Sequence, residues 1–159
     1  CNEVATECIE YTYKLFPGLD IKFITDVPDD FSITTSHLYL MRSMRELLYN
    51  SAKYSDGKNI TVWVTEMGSN VQFVVQDTGP GIEEDEVGRL FEFFAKVNDI
   101  SEGLGLGLPL ARRHIRNFGG ELFFDAHCAA ACLVFVEVVV GGELGEVEVV
   151  GGSESASGR

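Results

Sequence analysis

The sequence contains three short stretches in a fixed order: ELLYNSAKY at residues 46–54, DTGPGI at residues 77–82 and GLGLGL at residues 103–108. The first offers an oxygen ligand and a cation on one side of a helix, the second a carboxylate followed by a turn, and the third a run of unhindered backbone amides. A nucleoside triphosphate with its divalent cation needs groups of all three kinds. Together the stretches predict one nucleotide pocket, which no single stretch would indicate.

Composition restricts the class of protein. The chain has 159 residues and is 45% apolar, which suffices for one well-buried domain and is too short for two of ordinary size. Its 12 basic and 25 acidic residues give a formal net charge of −13, which excludes a broad surface for nucleic acid or anionic lipid. Phosphate must therefore be bound by a few groups at one site rather than by a broad basic surface.

The cysteines lack the paired spacing of a structural zinc site. They are Cys1, Cys8, Cys128 and Cys132. We expect reduced, partly buried thiols, with a metal site or a disulfide as the alternative.

No apolar run approaches the roughly 18 residues of a membrane span. Because the chain starts without Met or a signal peptide, we expect it to be part of a longer protein.

Apolar periodicity and turn residues predict the order of helices and strands. The predicted helices cover residues 2–16, residues 37–54, a segment between 83 and 94, and a segment from 108 that ends at Gly119-Gly120. The predicted strands cover residues 21–26, 58–66, 71–77, 121–126 and 132–140. Residues 141–159 are rich in Gly, Glu and Ser, which predicts an acidic tail or linker after a domain of residues 1–140.

This order of elements predicts an α+β fold. Antiparallel hairpins with helices between them favour a two-layer α/β sandwich, in which helices cover one face of a mixed, mainly antiparallel sheet. A doubly wound parallel sheet would need a more regular alternation of strands and helices than the chain provides.

The predicted helix over residues 37–54 has one polar face and one apolar face. At about 100° per residue, Glu46, Asn50 and Lys53 fall within about 60° of arc, away from the apolar stripe. Asn50 can offer a carbonyl oxygen to Mg²⁺, and Lys53 can contact phosphate as a point charge. Glu46 can orient or deprotonate a group near the terminal phosphate. Taken alone, the three residues are also compatible with an ordinary solvated face.

Asp77 ends a predicted strand with the same parity as the apolar residues of that strand, so it points toward the core. A carboxylate in that position needs a partner, and the exocyclic amine of adenine would satisfy it. Gly79 and Gly81 would let the backbone approach a flat ring. The alternative is a plain turn that leaves the strand.

The glycines Gly103, Gly105 and Gly107 precede a predicted helix, so unhindered amides and the helix N-terminus can converge on phosphate oxygens. The pattern lacks the Gly-Lys-Ser/Thr end of a P-loop and the spacing of a dinucleotide-binding fingerprint. We expect the mostly polar residues 95–102 to act as a mobile lid over bound nucleotide. A flexible loop without a ligand is the alternative for the glycines alone.

Four elements, in this order, resemble the N, G1, F and G2 boxes of the gyrase, chaperone, histidine-kinase and mismatch-repair ATPase superfamily. They are Glu-x3-Asn-x2-Lys-Tyr, Asp-x-Gly-x-Gly, the Phe-rich segment at residues 91–94, and Gly-x-Gly-x-Gly. The Asn-Ser-Ala-Lys-Tyr run and the glycine run are most similar to those of sensor histidine kinases. The resemblance spans residues 36–140.

The resemblance implies the catalytic ATP-binding domain of a two-component sensor histidine kinase, with ATP and Mg²⁺ as cofactors. It implies that Asn50 holds Mg²⁺, that Lys53 meets phosphate and that Tyr54 lies beside the nucleotide. Asp77 would read adenine N6. Glu46 is the acidic variant at a position that varies among histidine kinases, and we expect it to be the catalytic carboxylate. The other implied ATP-binding residues come from the second and third stretches: Gly79, Gly81, Ile82, Gly103, Gly105, Leu106, Gly107 and Leu108.

The resemblance also implies partners. Such domains pass the γ-phosphate of ATP to a histidine on a separate helical dimerisation domain of the same kinase, which works with a response regulator. We expect no nucleic-acid partner, no direct membrane contact by this domain, and a monomer when the domain is isolated. The implied location is the cytoplasm, including the case of a parent protein anchored in the inner membrane.

Two features depart from the family pattern. The stretch Ala129-Ala130-Ala131-Cys132 stands where the family has a Gly-rich turn ending in Gly-Thr, so we expect weaker affinity for the base. His37, His114 and His127 lack the setting of a phosphoacceptor box, and we expect them to be structural or surface residues. The alternatives are a stand-alone ATPase or serine-directed anti-sigma-type kinase of the same superfamily, and a degenerate nucleotide-binding or interaction module.

Overall fold

The computed structural model describes residues 1–55, 59–95, 104–125 and 132–139. The helices are α1 (Asn2–Leu15), α2 (His37–Tyr54), α3 (Glu84–Val87) and α4 (Gly107–Arg116). The strands are β1 (Ile21–Thr25), β2 (Ile60–Met67), β3 (Asn70–Asp77), β4 (Glu121–Asp125) and β5 (Cys132–Val139). The order of elements predicted from the sequence is confirmed. The predicted tail, residues 141–159, lies outside the described residues.

The five strands form one mixed sheet in the order β1-β2-β3-β5-β4. β1 pairs with β2 in parallel, since α2 carries the chain across the sheet between them, and the other neighbours are antiparallel. The β2–β3 turn contains Gly68 at a φ of +65°, the left-handed conformation that a tight hairpin requires. The sheet is therefore mixed and mainly antiparallel, as predicted.

The helices cover one face of this sheet. Ile60, Val62 and Val64 of β2 are almost fully buried, whereas Thr61 and the other residues that alternate with them are partly exposed. The buried residues of β3 continue the same layer, and α1, α2 and α4 supply the apolar groups packed against it. This alternation produces the predicted two-layer α/β sandwich.

Helix α2 lies at the centre of the helical layer. Its apolar stripe, Leu40, Met44, Leu47 and Leu48, is at most 2% exposed. These positions recur with the spacing of one helical face. Because this face is used for packing, the predicted site residues Glu46, Asn50 and Lys53 lie on the other faces of the helix.

Helix α3 is shorter than predicted. The sequence pattern suggested a helix that continues to residues 91–94, but α3 ends at Val87 and a series of turns follows. The Leu90 amide donates to the Val87 carbonyl, three residues back, which tightens the chain beyond the four-residue period of an α-helix. Leu90 is 7% exposed, so its burial draws this turn against the domain.

Candidate nucleotide-binding site

The turn after β3 lies against the C-terminal end of α2. A Cβ atom on Gly79 would stand 2.8 Å from Asp77 Oδ1, 3.1 Å from the Ser55 Cα and 3.3 Å from the Tyr54 carbonyl oxygen. A side chain at position 79 would therefore collide with the end of α2, which explains the glycine. The contact brings the first and second predicted stretches together, although 22 residues separate Ser55 from Asp77.

The start of α4 lies against the middle of α2. A Cβ atom on Gly107, the first residue of α4, would overlap the Glu46 carboxylate. The N-terminus of a helix carries a partial positive charge, which favours a carboxylate in this position. The third predicted stretch therefore joins the first at Glu46.

Glu46 also orients Asn50. The side-chain nitrogen Nδ2 of Asn50 donates to Glu46 Oε1 at 3.2 Å, across one turn of α2. The planar amide then carries its carbonyl oxygen on the opposite branch, directed away from the carboxylate. This oxygen is the atom that a hard cation such as Mg²⁺ would use.

Lys53 and Tyr54 follow at the end of α2. The Lys53 ammonium nitrogen lies 5.4 Å from the centroid of the Tyr54 ring. The ring is 43% exposed, so an apolar surface and a cation stand side by side at an open edge of the helix. Such a pair can contact a nucleotide from the solvent side.

Asp77 is 4% exposed at the end of β3, on the same face as the core residues of that strand, as its parity predicted. Its Oδ1 accepts a hydrogen bond of 2.9 Å from the Gly79 amide. Burial raises the pKa of Asp77 above its ordinary value, while the hydrogen bond from the Gly79 amide and the interaction with the Ser51 hydroxyl act in the opposite direction.

Sequence reasoning missed Ser51. This residue is 5% exposed and continues the buried stripe of Leu47 and Leu48 by one helical turn. A hydroxyl group in an otherwise apolar stripe needs a buried partner. That pattern is visible in the sequence and could have marked Ser51 as a residue that interacts with a buried polar group such as Asp77.

The loop around Gly81 and the loop before α4 have the backbone conformations that glycine permits. Gly81 has a φ of +74° and Gly105 a φ of +64°. A Cβ atom on Gly105 would also overlap the Ala95 carbonyl, and the Phe94 amide donates to the Gly105 carbonyl at 3.0 Å. The Phe-rich segment and the glycine run are thus joined directly.

Most of the remaining predicted site residues lie within the described part of the chain. Ile82 is half-buried after Gly81, Leu106 caps the start of α4, and Leu108 packs against the core. Gly103 and residues 96–102 of the expected lid lie outside the described residues. In the described part of the chain, no group of three or more His, Cys, Asp or Glu side chains could hold a metal ion.

The described histidines lie in structural settings. His114 stacks on Tyr39 with ring centroids 4.4 Å apart. Burial lowers the pKa of His114, and the neighbouring cations Arg42 and Arg113 lower it further. His37 is exposed at the start of α2, and His127 lies outside the described residues.

Two cysteines are described with their side chains. Cys1 and Cys8 carry free thiols, and burial raises the pKa of Cys8 to about 11. A thiol with this pKa is protonated at neutral pH and behaves as a small core residue.

Within the described residues, none of the helices has both the length and the apolar character needed to cross a bilayer.

The sequence pattern of the histidine kinase-, DNA gyrase B- and HSP90-like ATPases matches residues 35–149. The chain belongs to this ATPase family. The match includes the N, G1, F and G2 boxes, and it confirms the resemblance derived from their order. ATP is the nucleotide that this family membership implies.

The similar proteins are sensor kinases. The adaptive-response sensory kinase SasA of Crocosphaera subtropica is 36% identical over 128 residues, which cover 77% of this chain and 34% of that protein. The aerobic respiration control sensor protein ArcB of Escherichia coli is 29% identical over 111 residues, 66% of this chain and 14% of ArcB. The chain thus spans about a third, or less, of the length of these relatives.

Solved structures confirm the fold. The mycobacterial sensor histidine kinase MprB has a TM-score of 0.76 at 22% identity, over 87% of this chain and 95% of that one. The catalytic domain of the histidine kinase ThkA has a TM-score of 0.71 at 24% identity, over 85% of this chain and 93% of that one. The chain is a histidine kinase-type ATPase domain.

Proposed function

We propose that this domain binds Mg²⁺-ATP and passes the γ-phosphate to a histidine on a separate helical dimerisation domain of a two-component sensor kinase. The observation that carries the proposal is the contact of the Glu46–Asn50 pair with the first residue of α4. This contact unites a carboxylate, an amide oxygen and a helix N-terminus in one place. Phosphoryl transfer needs these groups for positioning and for charge stabilisation.

Asp77 is the group that reads the base. Its buried carboxylate accepts from the Gly79 amide and retains lone pairs for a further donor, because two oxygens offer about four acceptor positions. The adenine amine is a donor of suitable chemistry. Gly79 and Gly81 carry no side chain that would obstruct the ring, and Ile82 offers apolar contact beside it.

Asn50 and Lys53 bind the cation and the phosphates. A triphosphate that approaches the N-terminus of α4 meets the Glu46 carboxylate there, so the two negative groups need positive charge between them. A bound Mg²⁺ would supply that positive charge. Asn50 offers its amide oxygen to the ion, and Lys53 contacts phosphate beside the Tyr54 ring.

Glu46 acts at the reacting end of the nucleotide. During transfer, an imidazole nitrogen of the acceptor forms a bond to the γ-phosphorus while the bond from that phosphorus to the β–γ bridging oxygen breaks, and ADP leaves. Glu46 orients the imidazole and accepts its proton. On the side of α4, backbone amides stabilise the negative charge of the phosphates. These amides belong to Gly105, Leu106, Gly107 and Leu108, and Gly103 precedes them in the chain.

The partners follow from this reaction. The phosphoacceptor is a helical dimerisation domain of the same kinase, and the receiver of the phosphate is a response regulator. We assign the domain to the cytoplasm, where ATP and response regulators occur, and expect the isolated domain to be monomeric. The relatives are sensor kinases, and the match with this chain covers 34% of SasA and 14% of ArcB.

Calorimetry of ATP and ADP binding, with and without Mg²⁺, tests the proposal on the intact chain and on Asp77→Asn. We expect Mg²⁺-dependent binding that Asp77→Asn abolishes, because an amide places a donor where the carboxylate offers acceptors only. Asp26→Asn is the matched control, since Asp26 is exposed directly after β1 and accepts a hydrogen bond from the Thr65 hydroxyl. No binding at millimolar ATP would overturn the proposal and favour an interaction module.

Transfer of the γ-phosphate to histidine is measured in a second experiment. The helical dimerisation domain of the parent protein is added to the chain with ATP labelled at the γ-phosphate, and acid-labile label on histidine is followed. Label on the helical domain supports the kinase. Hydrolysis to free phosphate without labelled histidine would overturn it and favour a stand-alone ATPase.

A further inference from the structure

A surface groove lies between the Phe-rich segment and helix α4. It has a volume of about 400 Å³, and two aromatic rings and one face of α4 form most of its wall: Phe91, Phe93, Pro109, Arg112, Arg113 and Arg116. None of these six residues belongs to the predicted nucleotide site. This surface, the arginine groove, therefore needs an explanation of its own.

The basic residues of the arginine groove share one face of α4. Arg112, Arg113 and Arg116 lie three, four and seven residues after Pro109, the spacing that brings side chains to one side of a helix. Gly107, the first residue of α4, falls on nearly the opposite side, where it lies against α2. The body of α4 therefore separates the groove from the proposed site of phosphoryl transfer.

The residues that line the groove and pair with its arginines carry a net positive charge. Glu121 accepts from Arg112 Nε at 2.8 Å and from Arg116 Nη2 at 2.9 Å. This one carboxylate balances one of the three guanidinium charges, and the Arg113 and Arg116 side chains are exposed to solvent. In a chain with a formal net charge of −13, a local excess of positive charge attracts acidic groups.

The other wall of the groove is apolar. The Arg112 guanidinium lies over the Phe91 ring, with 4.4 Å between its central carbon and the ring centroid. The Phe93 side chain is 49% exposed beside it. A segment in which carboxylates alternate with apolar side chains would match both walls, because the carboxylates pair with arginine while the apolar groups cover the rings.

The chain itself contains such a segment shortly after β5. Residues 143–149 read Glu-Leu-Gly-Glu-Val-Glu-Val, so three carboxylates alternate with Leu144, Val147 and Val149. These residues, the acidic segment, lie outside the described part of the chain, and their sequence gives the chemistry of the segment. Both kinds of side chain that the groove requires are present in it.

The register of the sheet brings the chain close to the groove before the acidic segment begins. Glu137 of β5 pairs with Glu121, the first residue of β4. Val139, the last residue of β5, therefore lies level with the turn that joins α4 to β4, next to the arginine end of α4. Four residues lead from Val139 to Glu143 and can span about 13 Å, whereas a helix of ten residues is about 15 Å long. The acidic segment can thus reach the whole groove.

We propose that the arginine groove is a docking surface and that its occupant is the acidic segment of this same chain. The carboxylates of the segment pair with Arg113 and Arg116, and its apolar side chains cover the Phe93 ring. Docking needs neither nucleotide nor a phosphoacceptor, so the inference does not depend on the proposed function. It assigns to the acidic segment a role beyond that of a linker.

Chemical modification of arginine tests the docking in the intact chain. Phenylglyoxal reacts with guanidinium groups, and pairing with a carboxylate slows the reaction, so mass spectrometry of the labelled peptides reports on each arginine. We expect Glu143→Gln/Glu146→Gln/Glu148→Gln to raise the rate of modification of Arg113 roughly threefold. Arg89, whose side chain is 63% exposed outside the groove, is the internal reference and should react equally in both chains.

The expected size of the effect follows from tethering. Exposed ion pairs are individually weak, and three of them with some apolar contact give an affinity of roughly millimolar order. The effective concentration of a segment on a short linker is of the same order, so the groove is occupied for much of the time. Salt at about 0.5 M should bring the rate in the intact chain to that of the triple variant, because it screens exposed charges.

Glu3→Gln/Glu7→Gln/Glu10→Gln is the matched control. It removes the same number of exposed carboxylates from α1 and leaves the acidic segment unchanged. Arg113 should react in this variant as slowly as in the intact chain. Equal acceleration in both triple variants would mean that the overall charge of the chain governs the reaction, and it would overturn the proposal.

A synthetic peptide of residues 141–150 tests the groove and its occupant separately. Added to the ¹⁵N-labelled Glu143→Gln/Glu146→Gln/Glu148→Gln chain, it should shift amide resonances of α4 and of the Phe-rich segment, and further substitution of Arg113 and Arg116 by glutamine should remove these shifts. Shifts without protection of Arg113 in the intact chain would overturn the assignment to the acidic segment and favour a segment of another protein. Neither protection nor shifts would overturn the docking surface itself.

Discussion

The Asn50 amide donates to the Glu46 carboxylate at 3.2 Å, and that carboxylate lies against Gly107, the first residue of α4. This relationship joins two parts of the chain that are about sixty residues apart. The proposed metal ligand and the proposed catalytic group therefore hold each other in place. A substitution at Glu46, at Asn50 or at the start of α4 should therefore affect the groups at the reacting end of the nucleotide.

Glu46→Gln separates charge from geometry at this contact. Glutamine retains an oxygen that accepts from Asn50, so the amide orientation is kept while the negative charge is lost. We expect phosphoryl transfer to the helical domain to fall by roughly 10²–10⁴-fold, the usual contribution of a positioned acid–base group. Affinity for Mg²⁺-ATP should be retained or increased, because repulsion of the phosphates is removed.

A single-turnover assay measures the rate of phosphoryl transfer, and calorimetry measures the affinity for Mg²⁺-ATP, on the same preparation. Glu10→Gln is the control, since Glu10 is exposed on α1, away from the site. A transfer rate within twofold of that of the intact chain would remove Glu46 from the catalytic role.

Gly107→Ala tests the contact from the side of α4. A Cβ atom at this position would overlap the Glu46 carboxylate, so either the carboxylate or the helix must move. We expect weaker Mg²⁺-ATP binding and slower transfer, although alanine is the better helix former. Gly88→Ala is a matched control, because its Cβ atom would meet nothing within 4 Å and its φ of −58° suits alanine. Equal binding and transfer in the two variants would refute the coupling.

Local sequence patterns predicted the elements well. Helix α2 runs from His37 to Tyr54, as its periodicity indicated, because its core stripe and polar face are both encoded within eighteen residues. The end of α3 was predicted too late, since three-residue hydrogen bonds after Val87 depend on burying Leu90 against the rest of the domain. Periodicity carries no information on such contacts.

The site was predicted as a set of residues, but its internal contacts were not. The polar face of α2 predicted roles for Glu46 and Asn50, and strand parity predicted one for Asp77. The packing of Gly107 on Glu46 and of Gly79 on the end of α2 arises where three elements meet. A single sequence specifies which faces are buried, whereas the pairs formed across the layers depend on the register of α2 over the sheet.

Glu121 provides a test of stability away from the proposed site. It accepts from Arg112 at 2.8 Å and from Arg116 at 2.9 Å, which joins α4 to β4. Burial raises the pKa of Glu121, but the hydrogen bonds from Arg116 and Arg112 lower it by more, so the net direction is downward. A lowered pKa in the folded state means that the stabilisation is present above the unfolded pKa and is lost as pH falls through the folded pKa.

Glu121→Gln should therefore lower the free energy of unfolding at pH 7 by no more than about 1 kcal/mol, because the groups are partly exposed. The difference from the intact chain should vanish on acidification through the pKa of Glu121. Urea denaturation at several pH values measures it, and ATP affinity serves as the internal control, which should stay unchanged. A stability difference that grows toward acid pH would contradict this account.

Asp77→Asn should stabilise the nucleotide-free chain even though we expect it to abolish ATP binding. Burial raises the pKa of Asp77, so ionising this group costs folding free energy; the cost is absent below the unfolded pKa and develops as pH rises through the folded pKa. Asparagine keeps an oxygen that can accept from the Gly79 amide, and it carries no charge. The Tm of Asp77→Asn should thus equal that of the intact chain in acid and exceed it at pH 7, as measured by calorimetric scans without nucleotide. A lower Tm at pH 7 would mean that the hydrogen bonds of the carboxylate stabilise it by more than burial costs, and Asp77 would then have a structural role besides the proposed one.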